Sequence, residues 1–212
     1  MKKIVLIGDS IRCGYDKYVK LAFEDVANVY YPNENCRFAA YIVRHLHDWK
    51  KDMECGDDVD CVHWNAGLWD SIFLPDGEHL TPIEIYKYYI ERVCNRIKTL
   101  FPAAKVIFAT STPVVEERFI GVCKRYNKDI ELYNAAAVEI AKKHGFIVND
   151  LYEITKDVPV EYYSDMTHLY TKDGTALLTD KVIETIEKIL EIKGKELDYD
   201  EFFSEKKDVI GM

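Results

Sequence analysis

Short apolar runs alternate with longer amphipathic stretches along most of this 212-residue chain, and that alternation restricts the fold more than any other feature. Runs with the length and side chains of strands are predicted at Lys3–Ile7, Val26–Tyr31, Val59–Trp64, Lys105–Thr110 and Phe146–Val148. Helical periodicity fills the intervals. Ala39, Ile42, Val43 and Leu46 share one side of a helix over Phe38–Lys50, and Ile83, Tyr86, Ile90, Val93 and Ile97 repeat at the helical period between Pro82 and about Leu100. Further helices are predicted over Tyr15–Phe23, Asn127–His144 with Gly145 as its stop, and Lys172–Ile192. Strands separated by crossover helices pair in parallel, because each helix returns the chain to the end where the last strand began. The fold class is therefore α/β, with a parallel sheet covered on both faces. The segments after the strands, Gly8–Ser10, Asn33–Arg37, Asn65–Asp70 and Thr110–Val114, should meet at one sheet edge, where such folds bind ligands.

One domain accounts for residues 1–195, followed by a charged tail, 196–212, in which Phe202 and Phe203 offer an aromatic anchor. The formal net charge of −9 argues against nucleic acid as a partner, since phosphates need a basic face. No apolar stretch is long enough to cross a bilayer, so no membrane partner is expected. The apolar run after Met1-Lys2-Lys3 is too brief for a signal peptide, and a cytoplasmic location is the expectation. The six cysteines include no Cys-x-x-Cys pair and several fall inside predicted elements, the pattern of buried thiols rather than of a disulfide frame or zinc site. His45 and His47 stand two apart on a predicted helix, so they point to different faces and form no metal pair.

Chemistry gathers in three places. Gly8-Asp9-Ser10 follows the first strand, where Ser10 is either a nucleophile on a tight turn or, with Asp9, a helix cap. "NAGLWD", Asn65 to Asp70, follows the third strand, and Asp165 stands three residues before His168 ahead of the final helix. At that spacing the carboxylate can hold one imidazole nitrogen while the other faces outward as a base. Gly-Asp-Ser after the first strand, the Asn-Gly-Asp stretch after the third and Asp-x-x-His before the last helix, in this order on five alternating strands, resemble the SGNH hydrolases, also called the GDSL esterase/lipase family, over nearly the whole chain. The resemblance implies a three-layer α/β/α, flavodoxin-like fold with a five-stranded parallel sheet of order 2-1-3-4-5.

Carried over by position, the resemblance makes Ser10 the nucleophile, His168 the base and Asp165 its orienter, with the Ser10 N–H in the oxyanion hole. Two motifs depart from the family pattern. The second loop, "PNENCRFAAY", lacks the family glycine, so its N–H donor becomes Cys36 or Arg37, with Arg37 favoured by its place in the loop. In the third motif Trp69 stands where the family has asparagine, and Asn65 is the substitute donor, two residues before Gly67. Asp9, Cys36, Gly67 and Trp69 are expected around the substrate, with the Trp69 indole as a stacking face. The implied activity is hydrolysis of short acyl esters, acetyl foremost, of a small molecule or carbohydrate, without metal or organic cofactor. The alternative is a non-catalytic flavodoxin-like module for a carbohydrate or phosphorylated ligand, although the first loop has neither Gly-x-Gly-x-x-Gly nor a Walker lysine. No lid-like apolar insertion is evident, and nothing in the sequence signals an oligomeric state.

Overall fold

A computed structural model describes residues 1–204. The predicted strands become β1 (Lys2–Ile7), β2 (Ala27–Tyr30), β3 (Cys61–Trp64), β4 (Lys105–Ala109) and β5 (Ile147–Asn149). They form one five-stranded sheet of order β2-β1-β3-β4-β5, parallel throughout. The principal helices are α1 (Ser10–Ala22), α2 (Ala39–Met53), α3 (Ile83–Leu100) and α4 (Asn127–Lys143), followed by α5 (Leu151–Thr155), α6 (Lys172–Leu190) and α7 (Tyr199–Phe202).

Successive β1 residues point to opposite sides. Ile4 and Leu6 pack with Ile11, Tyr15 and Val19 of α1 and Leu178, Val182 and Ile186 of α6. Val5 and Ile7 pack with Ile42 and Leu46 of α2, Ile90 and Val93 of α3 and Ala137 of α4. Both faces are dry, which is why β1 reads as an unbroken apolar run rather than an alternating one. The expected α/β/α layering and strand order are thus observed. In register, Ile7 pairs with Trp64, so Gly8 and Asn65 leave the sheet side by side.

Local differences have local causes. Helix α1 begins at Ser10 rather than Tyr15 because the Asp9 carboxylate caps it, accepting the Ile11 N–H at 2.9 Å. Helix α5 is too short to reveal a period in the sequence. After α6 the chain folds back: Lys195 N–H donates to Ala22 O at 2.8 Å and Tyr199 Oη to Asp180 at 2.7 Å. In this segment Tyr199 packs against Tyr18, Lys195 lies over the Phe202 ring and Phe203 is half-buried. The rest of the expected tail, 205–212, lies outside the described residues. Among the described residues no helix is long and apolar enough to cross a membrane and no disulfide forms.

Candidate active site

Ser10 is the first residue of α1, so its backbone N–H lies among the unsatisfied amides at the positive end of a helix. Asp9 beside it is fully buried. Its Oδ1 accepts from Ile11 N–H and from Asn65 Nδ2 at 2.8 Å, whereas Oδ2 has no partner among the described residues. Burial raises the Asp9 pKa; the Asn65 and Ile11 hydrogen bonds and the charges of Arg125 and His168 work against that rise.

The Asp165–His168 turn is organised by one carboxylate. Asp165 Oδ1 accepts the Thr167 and His168 N–H groups at 2.6 and 2.8 Å, and Oδ2 lies 2.7 Å from His168 Nδ1. Desolvation pushes the Asp165 carboxyl up, but these bonds and the His168 charge outweigh it and hold the pKa below the usual range. The turn is anchored from outside as well: Val115 N–H donates to Met166 O at 2.9 Å and Arg118 Nη1 to Asp165 O at 3.0 Å. Ser10 Oγ and His168 are not hydrogen-bonded to each other, but Tyr170 links their loops. Its ring stacks on His168 with centroids 4.6 Å apart, and its hydroxyl donates to Ser10 O. Gly14 makes room for that ring, since a Cβ there would lie 2.7 Å from Tyr170 Cε1.

The expected oxyanion donors all have hydrogen-bond partners within the fold. Arg37, with a φ of 53°, turns its N–H onto Asn35 Oδ1 at 2.8 Å, and the Cys36 N–H donates to Gly8 O at 3.0 Å. Asn65 is fully buried with its amide nitrogen on Asp9. These hydrogen bonds hold the loops around Ser10 together. The expected substrate contacts differ in exposure. Asp9, Cys36 and Gly67 are buried, as Ser10 is, the Cys36 thiol being pushed up to about 12 by burial. Trp69 alone of residues 61–70 is half-buried rather than buried.

Asp70 has a role that its motif position did not disclose. Its carboxylate accepts the Ala39 N–H at the start of α2, with Oδ2 at 3.0 Å, and a hydroxyl hydrogen bond from Thr81. It therefore clamps the second loop to the third. Burial raises its pKa from 3.8 to about 7 against the pull of those hydrogen bonds. A carboxyl raised on folding favours the folded state fully below its unfolded pKa, and that contribution is lost as pH rises through about 7. At 1.36 kcal/mol per unit the effect is at most about 4 kcal/mol. Urea unfolding at pH 4.5 and pH 8 should show a fall in stability for wild type that is smaller in Asp70→Asn. Equal falls in both proteins would refute this role.

Four further side chains carried no motif. Buried Arg12 donates to Asp16, to Pro32 O at 3.2 Å and to Glu34 O, fastening the second loop to α1. Arg125 donates from Nε to Leu68 O at 2.7 Å, inside the third motif. Ile120 and Val122, 96% and 76% exposed, form an apolar tip on the segment that carries Arg118. The two arginines gave no signal in the linear sequence because each depends on a partner from another loop.

No family sequence model matches the chain, and no curated protein is similar enough in sequence to match it. Solved structures do match. A lipase/acylhydrolase from Enterococcus faecalis superposes with a TM-score of 0.71, covering 93% of this chain and 100% of that one at 22% identity. The fold is that of the SGNH hydrolases. A GDSL-like lipase from Bacteroides thetaiotaomicron matches with a TM-score of 0.65 at 16% identity over 88% of each chain. An acetyl xylan esterase matches with a TM-score of 0.67 at 16% identity, covering 87% of this chain and 99% of that one. At such identities the likeness is one of fold, and chemistry must be argued from the residues. In this SGNH-hydrolase fold, the loops after β1 and β3 and the turn before α6 occupy the carboxyl edge of the sheet, where a ligand of an open α/β fold is expected.

Proposed function

We propose that the protein is a serine esterase acting on short acyl esters, acetyl foremost, of a polar alcohol such as a sugar. The observation that carries this reading is the Asp165–His168 pair at 2.7 Å, tied through Tyr170 to the backbone of Ser10. In the reaction, Ser10 Oγ bonds to the ester carbonyl carbon as its proton passes to His168 Nε2. Asp165 keeps Nδ1–H oriented and stabilises the imidazolium. The tetrahedral intermediate then expels the alcohol, which takes the proton from His168, and leaves acyl-Ser10. Water attacks with His168 as base, releasing the acid and restoring the hydroxyl.

The acetyl-sugar preference is supported by half-buried Trp69 in the loop after β3, whose indole suits a sugar ring, and by structural neighbours described as an acetyl xylan esterase and an acetyl-xylooligosaccharide esterase. A fluorophosphonate probe tests the reaction class without knowledge of the substrate: wild type should be labelled at Ser10. An unlabelled, folded wild type would favour a binding module instead. For substrate class, rates on p-nitrophenyl esters should fall steeply from acetate to octanoate. Trp69→Ala should impair acetylated sugars more than p-nitrophenyl acetate. A preference for octanoate would point instead to the apolar Ile120–Val122 tip as an acyl-chain contact.

A further inference from the structure

A tetrahedral intermediate on Ser10 needs at least two donors for its oxyanion, and the hydrogen bonds above commit the Cys36, Arg37 and Asn65 donors elsewhere. Four arginines approach this edge, of which exposed Arg37 lays its guanidinium over the Tyr41 ring, 5.1 Å from the centroid. Arg12 is occupied by Asp16 and the second loop, and Arg118 by the carbonyls of Asp165 and Tyr163. Arg125 differs. Its Nε is fixed on Leu68 O, whereas neither Nη1 nor Nη2 has a hydrogen-bond partner among the described residues, and both nitrogens retain access to solvent.

Its position is held from both sides. Phe73 and Lys124 exchange backbone hydrogen bonds of 2.8 and 3.0 Å, which fixes the residue before it against the third-motif loop. Asn127, two residues after it, donates its backbone N–H to Glu116 at 2.7 Å and its side-chain amide to Val114 O at 2.9 Å. The guanidinium lies close enough to Asp9, beside the nucleophile, and to Asp165, beside the base, for both to act on its charge.

We propose that the Arg125 guanidinium completes the oxyanion hole with the Ser10 N–H. The assignment rests on the serine-esterase reading. It also balances charge. In the transition state the new imidazolium faces Asp165, and the new oxyanion faces Arg125. Burial lowers the Arg125 pKa to about 10, which leaves it protonated at neutral pH. A cation partly withdrawn from water acts more strongly on a developing charge than one in bulk solvent.

The test is steady-state hydrolysis of p-nitrophenyl acetate by wild type, Arg125→Ala and Arg125→Lys, with and without millimolar methylguanidine. Arg125→Ala should lose about 10²–10³ in kcat with KM little changed, as for loss of an oxyanion donor. Arg125→Lys, which keeps the charge but not the fork, should lose less. Methylguanidine should restore part of the kcat of Arg125→Ala and none of that of Ser10→Ala. Fluorophosphonate labelling should slow in Arg125→Ala in parallel with turnover, since it too builds negative charge on oxygen. Wild-type kcat in Arg125→Ala, or a loss that methylguanidine leaves untouched, would overturn the assignment while a labelled wild type keeps the esterase reading. A wild type that is neither labelled nor active would overturn both.

Discussion

Ser10→Ala is expected to abolish hydrolysis of p-nitrophenyl acetate, with a loss of about 10⁴-fold or more in kcat, and to leave the fold standing. The size of the loss follows from the absence of any covalent intermediate once Oγ is removed. The mildness toward the fold follows from the local structure: Asp9, not Ser10, caps α1, and Ser10 Oγ makes no hydrogen bond among the described residues. Stability should change by no more than about 1 kcal/mol. Adding His168→Ala to Ser10→Ala should cost little more, because members of one catalytic unit are not additive. The measurements are turnover at saturating ester and a urea midpoint on the same preparations. A folded Ser10→Ala protein with wild-type turnover would end the serine-esterase reading.

Gly8→Ala should damage both stability and activity. A Cβ at position 8 would lie 1.9 Å from Asn65 Oδ1 and 2.8 Å from Arg12 Cβ. Neither neighbour can yield readily. Asn65 is sealed in the core with its amide on Asp9, and Arg12 is buried on carbonyls of the second loop. Overpacking of this kind costs about 1–3 kcal/mol, and moving Asn65 also releases the carboxylate next to the nucleophile. A fall in kcat of about tenfold or more should accompany the loss, because small misplacements of reacting groups are costly. Gly121→Ala is the control: a Cβ there meets nothing within 4 Å, so stability should stay within about 0.5 kcal/mol. Should Gly8→Ala match Gly121→Ala in denaturation midpoint and turnover, the close packing of Asn65 on the first loop does not matter.

The site was only partly legible from the chain. Asp165 and His168 could be paired in advance because three residues of turn separate them, and the observed 2.7 Å contact needs nothing from elsewhere. Asn65 could not be read in the same way. Its two-residue offset from Gly67 suggested a donor facing the cleft, but the Asp9 carboxylate stands beside it only once β1 and β3 are paired. The Arg37 N–H finds a more local partner, an Asn35 side chain within the same loop. Arg125 and Tyr170 carried no signal because their partners, Leu68 O and Ser10 O, are backbone atoms far away in sequence.

What the amino-acid sequence determined by itself was the layered α/β architecture. Apolar runs of strand length must be buried on both faces, and helices of the observed period are the elements that bury them. The tertiary structure alone decided which polar groups are available for chemistry. A buried donor bonds to whichever acceptor lies nearest, and across loops that neighbour is set by strand register and close packing.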